Sequence, residues 1–190
     1  VVLVQTGDGP HGWGEAAPYP GQDEPLKTLL ASARAGIATP TLRAAIDEAE
    51  ADRSARLESR PLSTPARDRL PVSVAVGMDG ALERVDRLVG DGVTRFKVKV
   101  APGRYGHLRS LRRAHPNITI GVDGNQSFGS LEGIANAIVE VQAVYAEELL
   151  TPASADDIEE LTAAGIPHFA DESLGSVARA EDVIRSGRYT

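Results

Sequence analysis

The sequence has 190 residues, of which 42% are hydrophobic and 25% charged, a composition that supports a buried core and excludes disordered and collagen-like chains. Twenty basic against 27 acidic residues give a formal net charge of −7, and the basic residues are scattered, so we expect no nucleic-acid partner. Cysteine is absent, which excludes disulfides and thiolate metal sites. No apolar run approaches the roughly 20 residues that span a bilayer, so we expect no membrane partner, and because a chain without cysteine fits a reducing compartment, we expect a cytoplasmic protein.

A β-hairpin is predicted first. Residues 1–5 form a β-rich run, residues 7–10 have turn chemistry, and residues 11–16 resume an extended pattern. The only tryptophan, Trp13, lies in the second run, and we expect it to pack in the core of the hairpin.

An amphipathic helix and a domain boundary follow. Between residues 41 and 57 the apolar positions have helical spacing, with charged residues on the opposite face. The segment 59–69 holds two prolines and several charges, which predicts a boundary. We therefore divide the chain into an N-terminal domain, residues 1–66, and a second domain, residues 67–190.

Beyond the boundary, short β runs alternate with helical segments. The predicted strands cover residues 71–76, 95–100, 118–122, 143–147 and 168–170. Alternation at this spacing predicts parallel strands joined by crossover helices, in either a (β/α) barrel or an open doubly wound sheet. The predicted fold class is therefore α/β.

Four charged residues in the second domain share one interval and one location, at or just after the end of a predicted strand. They follow one another at intervals of 24 residues and are Lys99, Asp123, Glu147 and Asp171. The carboxyl ends of parallel strands meet at one edge of the sheet, where α/β proteins assemble their active sites. The interval therefore predicts a functional site at this edge.

Carboxylates that converge at such an edge repel one another unless a cation neutralises them. A ligand set of oxygen atoms favours a hard ion, so Asp123, Glu147 and Asp171 are candidate ligands of Mg²⁺, with Mn²⁺ as a substitute. The alternative is that each carboxylate caps the helix after its strand, a common role for Asp that Glu147 fits poorly.

Two lysines occur together on the second predicted strand of this domain. Lys97 and Lys99 flank Val98, so strand alternation points both side chains to one face. On an exposed edge strand that face would simply be solvated. In the interior of a barrel two lysines need a polar site, and a nearby Mg²⁺ can lower the pKa of an ammonium towards that of a general base.

Five motifs, in this order, resemble those of the enolase superfamily. The matching segments, each followed by the family pattern, are Gly12-Trp13-Gly14-Glu15 (Gly-Trp-Gly-Glu), Lys97-Val98-Lys99 (Lys-x-Lys), Asp123-Gly124-Asn125 (Asp-x-Asn), Ala146-Glu147-Glu148 (Glu-Gln-Pro) and Asp171-Glu172-Ser173 (Asp-Glu-Ser). The sequence looks most like the muconate-lactonising subgroup and, within it, the o-succinylbenzoate synthases and the N-acylamino acid racemases.

The resemblance implies a fold and a catalytic centre. The fold would be an α+β capping domain with a (β/α)₇β TIM-type barrel, of which the chain holds about five strands. The three carboxylates named above would bind Mg²⁺, Lys99 would be the general base, and Lys97 would lower the pKa of Lys99 and neutralise the substrate carboxylate.

Four further residues receive roles from the same resemblance. Asn125 and Glu172 would orient the metal ligands or a lysine. Glu15 and Tyr19 would lie near a capping loop that shapes specificity and excludes water.

The resemblance also implies a reaction. Our first expectation is a Mg²⁺-dependent lyase similar to o-succinylbenzoate synthase, which removes an α-proton from a carboxylate substrate and then eliminates water in menaquinone synthesis. The second is a racemase of N-acylamino acids or an epimerase of dipeptides, and the third is a degenerate barrel without catalysis. The expected partner is a small-molecule carboxylate, and a homo-oligomer is compatible with the sequence.

Two departures from the family pattern bear on these expectations. The segment Glu147-Glu148-Leu149 replaces Glu-Gln-Pro, so either acid could be the ligand, although the 24-residue interval favours Glu147. The chain ends at Thr190 after about five predicted strands, so we expect it to represent part of a longer protein whose next strand carries a second catalytic lysine.

Overall fold

Two units, each with its own packing, make up the chain. The computed structural model describes residues 2–7, 9–19, 23–63, 70–150, 155–187 and 189. The first unit ends at Leu70 and the second begins at Pro71. The boundary predicted between residues 66 and 67 falls outside the described ranges.

The first unit combines a β-hairpin with two helices. Its elements are β1 (Val2–Thr6), β2 (Gly12–Ala16), α1 (Leu26–Arg34) and α2 (Pro40–Leu57). The two strands pair antiparallel, so the predicted hairpin is confirmed. The predicted helix is α2, which begins where the side chain of Thr39 accepts a hydrogen bond from the backbone N–H of Leu42. Helix α1 was not predicted from the sequence pattern.

Helix α2 lies directly on strand β2 because two glycines let the backbones approach each other. A Cβ atom added at Gly12 would lie 1.8 Å from the carbonyl oxygen of Ala49, and one added at Gly14 would lie 1.8 Å from that of Ala45. Burial along β2 alternates, so the glycines are buried and Trp13 is 48% exposed. The prediction that Trp13 packs in the hairpin core is therefore wrong, because the closely packed face of β2 accommodates only small residues.

The second unit is a five-stranded parallel sheet with a helix after each strand. The strands are β3 (Val74–Val76), β4 (Arg95–Lys99), β5 (Thr119–Asp123), β6 (Tyr145–Glu147) and β7 (His168–Phe169). The helices are α3 (Ala81–Gly90), α4 (His107–Ala114), α5 (Ile134–Glu140), α6 (Ala155–Ala163) and α7 (Val177–Ser186), and a 3₁₀ turn (Glu172–Leu174) precedes α7. The strands lie side by side in their sequence order, as in a (β/α) barrel, without the reversal of order that marks a doubly wound sheet.

The core of the second unit lies between the sheet and its helices. On β4, Phe96 and Val98 are buried in this core, while the lysines at the alternate positions have their side chains on the other face. The helices contribute fully buried residues such as Leu111 on α4 and Ile138 on α5. Burying such a side chain stabilises the fold by about 1.5–3 kcal/mol, so this layer fixes which face of each strand is left for the polar residues.

The predicted α/β fold class is confirmed, and all five predicted strands of the second unit are present in shortened or shifted form. The largest difference is at β3, which begins at Val74 instead of residue 71. Helix α7 was not predicted. In the described part of the chain, no helix has both the length and the apolar character needed to cross a membrane.

Candidate active site

Three of the four residues that recur at 24-residue intervals lie side by side in the sheet. The Cα atom of Lys99 pairs with that of Asp123 across β4 and β5, and Asp123 pairs with Glu147 across β5 and β6. Each of the three is the last residue of its strand. The row therefore stands at the carboxyl edge of the parallel sheet, where (β/α) barrels build their active sites.

The ammonium group of Lys97 joins two of the carboxylates. Its Nζ lies 2.7 Å from Oε1 of Glu147 and 3.1 Å from Oδ2 of Asp123. Lys97 pairs with Gly121 on β5, and Gly121 pairs with Tyr145 on β6. The ring of Tyr145 occupies the space beside this glycine, because a Cβ atom added at Gly121 would lie 2.2 Å from that ring. Two carboxylates from neighbouring strands therefore converge on one positive centre.

Lys99 and Asn125 extend the network towards the segment after β7. Nζ of Lys99 donates hydrogen bonds to Oδ2 of Asp123 at 2.8 Å and to Oδ1 of Asn125. The side-chain Nδ2 of Asn125 donates to Oε1 of Glu172 at 2.6 Å, and its backbone N–H donates to Oδ1 of Asp123 at 3.0 Å. Asn125 thus connects the predicted base to the predicted orienting residue Glu172.

The charges in this cluster shift one another's pKa values. Burial alone would raise the pKa of Asp123, but hydrogen bonds from Lys99 and Lys97 outweigh it and hold the pKa of this carboxyl below its usual range. Burial would lower the pKa of Lys97, yet its hydrogen bonds to Glu147 and Asp123 raise that pKa well above the usual range. Burial raises the pKa of Glu147, and the charges of Asp123 and Asp171 add to this rise against the hydrogen bond from Lys97. Lys97 is therefore held as an ammonium ion.

The third predicted metal ligand, Asp171, lies just outside the row. The register partner of Glu147 on β7 is Phe169, so Asp171 comes two residues after the end of that strand. Among the described residues, no three Asp, Glu or His side chains are gathered closely enough to hold a metal ion. The predicted ligands nevertheless suit a hard cation, because all of them are carboxylate oxygens. Oxygen atoms of Asp123 and Glu147 already lie around one positive group, the ammonium of Lys97.

The acid next to Glu147 has a different set of partners. Glu148 is fully buried, and its Oε1 accepts hydrogen bonds from the backbone N–H groups of Asp171 at 2.8 Å and Ser173 at 3.0 Å. Its Oε2 accepts from Nε2 of Gln126 at 2.8 Å and from Oγ of Ser173 at 3.0 Å. Of the two adjacent acids, Glu147 is thus the one in the lysine cluster. Sequence reasoning missed this role of Glu148, for which the only signal was an acid at a position where the family pattern has Gln.

Backbone strain is concentrated beside the same residues. Five described non-glycine residues have positive φ, and three of them are Asn125 at 43°, Gln126 at 56° and Glu148 at 39°. A left-handed conformation costs an L-residue roughly 1–2 kcal/mol, and it persists where surrounding contacts determine it. The two loops also approach closely, since a Cβ atom added at Gly124 would lie 2.7 Å from Cα of Leu149.

The two residues predicted to border the substrate from the first unit are exposed. The backbone N–H of Glu15 donates to Oε2 of Glu48 at 3.0 Å, which holds β2 to helix α2. Tyr19 is 64% exposed, and its backbone N–H donates to Oδ2 of Asp23 at 2.7 Å. A role of Glu15 or Tyr19 towards a substrate stays a prediction.

A cavity of about 230 Å³ lies between the loops that follow β4 and β5. Its lining includes Tyr105 and Phe128, whose ring centroids are 6.3 Å apart, and the acidic residue Glu132. None of the predicted site residues is among the described residues that line it. The cavity and the lysine–carboxylate cluster are therefore separate features of the same sheet edge.

Solved structures with a similar fold are members of the enolase superfamily. A probable mandelate racemase from Alicyclobacillus acidocaldarius is 27% identical, with a TM-score of 0.77, and the match covers 98% of this chain and 61% of that one. An enolase superfamily member from Listeria innocua is 19% identical, with a TM-score of 0.80 and the same coverage of 98% and 61%. A dipeptide epimerase from Enterococcus faecalis is 19% identical, with a TM-score of 0.80 and coverage of 98% and 66%. No protein-family model and no curated protein sequence matches the chain.

These similarities concern the fold. They confirm the predicted class, an α+β capping unit followed by a TIM-type (β/α) barrel unit. The chain spans about six tenths of the length of the solved structures it matches. The resemblance to o-succinylbenzoate synthases and N-acylamino acid racemases stays a prediction, since the similar structures include a racemase and an epimerase by name.

Proposed function

We propose that the protein is an enzyme of the enolase superfamily that removes the α-proton of a small carboxylate substrate with the help of Mg²⁺. The observation that carries this proposal is the row of Lys99, Asp123 and Glu147 at the carboxyl edge of the sheet. A second lysine lies within 3.1 Å of both carboxylates of this row. The fold similarity to solved superfamily members supports the same proposal.

Lys99 is the residue that we assign as the general base. Its Nζ is held at the strand edge by hydrogen bonds to Asp123 and Asn125, and a base must be fixed within hydrogen-bond reach of the proton that it takes. In the proposed reaction Lys99 accepts the α-proton at Nζ. Lys97 stays an ammonium, because it is bonded to two carboxylates, and neutralises the carboxylate of the substrate.

Asp123, Glu147 and Asp171 would hold Mg²⁺, or Mn²⁺ as a substitute. Carboxylate oxygens with remaining positions for water or substrate suit a hard divalent ion. When bound, the ion supplies positive charge that stabilises the negative charge on the substrate carboxylate as the α-proton leaves. Asn125 and Glu172 would keep Lys99 and the loops around it in position.

Two reactions share this first step. In the lyase reaction, the C–H bond at the α-carbon breaks first, Lys99 then returns the proton to the departing hydroxyl, the C–O bond breaks, and water leaves. In racemisation or epimerisation, a second acid–base group delivers a proton to the opposite face of the α-carbon. The motifs of the sequence are shared by both candidates and do not separate them, whereas the names of the similar racemase and epimerase favour the second.

Proton exchange in deuterated water tests the shared step. The protein is incubated with Mg²⁺ and a panel of N-acylamino acids, dipeptides and hydroxylated cyclohexadiene carboxylates, and the α-proton is followed by NMR. We expect exchange or water loss with one of these acids, and a decrease of about 10²-fold or more in the Lys99→Ala variant. Lys27→Ala is the matched control, because Lys27 is an exposed lysine on α1, and it should leave the rate unchanged.

The outcome also separates the candidates. Loss of water gives a new product and identifies a lyase, whereas deuterium incorporation with inversion at the α-carbon identifies a racemase or epimerase. Undiminished exchange in Lys99→Ala would remove Lys99 from its assigned role. Calorimetry that detects no millimolar or tighter Mg²⁺ site, together with no exchange of any acid, would favour a barrel without catalysis.

A further inference from the structure

A fully buried carboxylate that takes no part in the proposed proton transfer sits between the strand ends. Glu148 is 0% exposed, and its two oxygens accept four hydrogen bonds. A carboxylate only accepts hydrogen bonds, so four donors around it match its ionised form. Burying a charge in this way is costly unless it is fully hydrogen-bonded, so the arrangement calls for a role other than filling space.

The four donors come from both neighbouring loops. Gln126 lies in the loop after β5, and its backbone N–H also donates to the carbonyl oxygen of Glu148 at 2.6 Å. Asp171 and Ser173 lie after β7, and the backbone N–H of Glu148 donates to the carbonyl oxygen of Phe169 at 3.0 Å. Glu148 therefore ties the ends of three consecutive strands to one another.

Each residue that donates to the carboxylate of Glu148 is a predicted site residue or its direct neighbour in the chain. Gln126 follows Asn125, Asp171 is itself a predicted ligand, and Glu172 lies between Asp171 and Ser173. Asn125 and Glu172 are in turn bonded to each other at 2.6 Å. A shift of Glu148 would therefore move these groups together.

We infer that Glu148 is a positioning residue of the site: its carboxylate clamps the loops after β5 and β7 and so fixes where Asn125, Asp171 and Glu172 stand relative to Glu147. The inference rests on the proposed function, because that function gives these residues their roles. The left-handed backbone of Glu148, φ 39°, agrees with it, since a strained residue persists where surrounding contacts determine it.

Two substitutions of Glu148 separate its hydrogen bonding from its volume. Glu148→Leu keeps a similar volume but removes the oxygens that accept from the backbone N–H groups of Asp171 and Ser173 and from the side chains of Ser173 and Gln126. Glu148→Gln keeps an oxygen for the two backbone N–H groups, and its amide can donate to the hydroxyl of Ser173 while the amide of Gln126 turns over to accept. If Glu148 holds the loops in this way, the order of the loop after β7 and the affinity for Mg²⁺ should be lost in Glu148→Leu and kept in Glu148→Gln.

Two measurements test whether Glu148 holds the loops in place and whether this positions the site. Amide hydrogen exchange at Asp171 and Ser173, followed by NMR without metal, should be faster by roughly tenfold or more in Glu148→Leu and close to wild type in Glu148→Gln. Calorimetry with Mg²⁺ alone should show a Kd raised by about 10–100-fold in Glu148→Leu and within about threefold of wild type in Glu148→Gln. Glu159→Leu makes the same exchange of side chains on the exposed face of α6 and should change neither quantity.

Several results would overturn the inference. Wild-type exchange rates at Asp171 and Ser173 in Glu148→Leu would show that the hydrogen bonds do not hold these loops. Faster exchange with an unchanged Kd for Mg²⁺ would show that the clamp does not position the site. If Glu148→Leu fails to fold, the double variant Gln126→Asn with Ser173→Ala keeps Glu148, draws the amide at residue 126 back from Oε2 by one methylene and removes the hydroxyl donor, and the same two readouts apply to it. A wild-type protein that binds no Mg²⁺ overturns the proposed function, and the exchange rates then decide the clamp by themselves.

Discussion

A methyl group added at Gly14 should destabilise the first unit severely. The new Cβ atom would lie 1.8 Å from the carbonyl oxygen of Ala45, 2.8 Å from the carbonyl carbon of that residue, and 3.0 Å from the backbone nitrogen of Ala49. All three atoms belong to the backbone of helix α2, so no side chain can rotate away to make room. The whole helix would have to move by roughly 1 Å or more to restore an ordinary contact.

The cost can be set against the total stability of the unit. Overpacking costs about 1–3 kcal/mol where side chains can adjust, so a contact between two backbones should cost about 3 kcal/mol. A unit that ends at Leu70 has a free energy of unfolding of roughly 4–10 kcal/mol. The Gly14→Ala variant should therefore lose about a third or more of that stability.

Trp13 makes this loss measurable in the full chain. It is the only tryptophan of the sequence and lies in the first unit, so its fluorescence during urea titration reports on that unit alone. With a urea dependence of about 1.5 kcal/mol per molar, the midpoint should fall by roughly 2 M. Gly77→Ala is the control, because a Cβ atom there meets nothing within 4 Å. A midpoint for Gly14→Ala within about 0.3 M of wild type would refute the close approach of α2 to β2.

Three further predictions concern the second unit. Asp123→Asn replaces the negative charge that faces two partly exposed lysines with a neutral amide. It should cost about 2 kcal/mol by thermal unfolding and abolish Mg²⁺ binding by calorimetry; a stable variant with wild-type affinity would contradict both expectations. Glu147→Gln should weaken Mg²⁺ binding more than Glu148→Gln does, and the reverse order would exchange their roles. Arg112→Met removes a guanidinium that donates to three backbone carbonyls at 2.8 Å each and should lower the free energy of unfolding by about 2 kcal/mol, which a chemical denaturation curve would reveal.

The row of site residues could be located from the sequence because a strand, together with the loops and helix that lead to the next strand, takes up the same number of residues twice in succession. The interval of 24 residues equals the register offset between β4 and β5 and between β5 and β6, so Lys99, Asp123 and Glu147 fall at the same height. The offset between β6 and β7 is different, since Glu147 pairs with Phe169. Asp171 therefore lies beyond the row although its interval in the sequence is the same.

The partners of Glu148 could not be read from the sequence in the same way. Strand alternation predicts that adjacent residues point to opposite faces. This prediction applies only as far as Glu147, the last residue of β6, because the backbone of Glu148 is left-handed and no longer extended. The carboxylate oxygens of Glu148 accept hydrogen bonds from a residue 22 positions earlier in the chain and from residues 23 and 25 positions later. Such pairing depends on loop conformation, for which local sequence patterns carry no signal.

The same limit explains the wrong prediction for Trp13. Alternation in β2 correctly separates two faces, but it does not say which face is packed. That choice is made by a helix more than 25 residues away, whose backbone approaches Gly12 and Gly14 too closely for any side chain. Hydrophobicity favoured tryptophan for the core, whereas the distance between backbones selected glycine.

The charge balance of the site suggests an order of binding. Two lysines stand among five acidic side chains, namely those of Asp123, Glu147, Glu148, Asp171 and Glu172. Negative charge is in excess, and part of the rise in the pKa of Glu147 comes from its neighbours Asp123 and Asp171. A carboxylate ligand would add to that excess, whereas a divalent cation offsets it. We therefore expect an N-acylamino acid to bind measurably by calorimetry only when Mg²⁺ is present, and equal affinity with and without Mg²⁺ would contradict this reading of the charges.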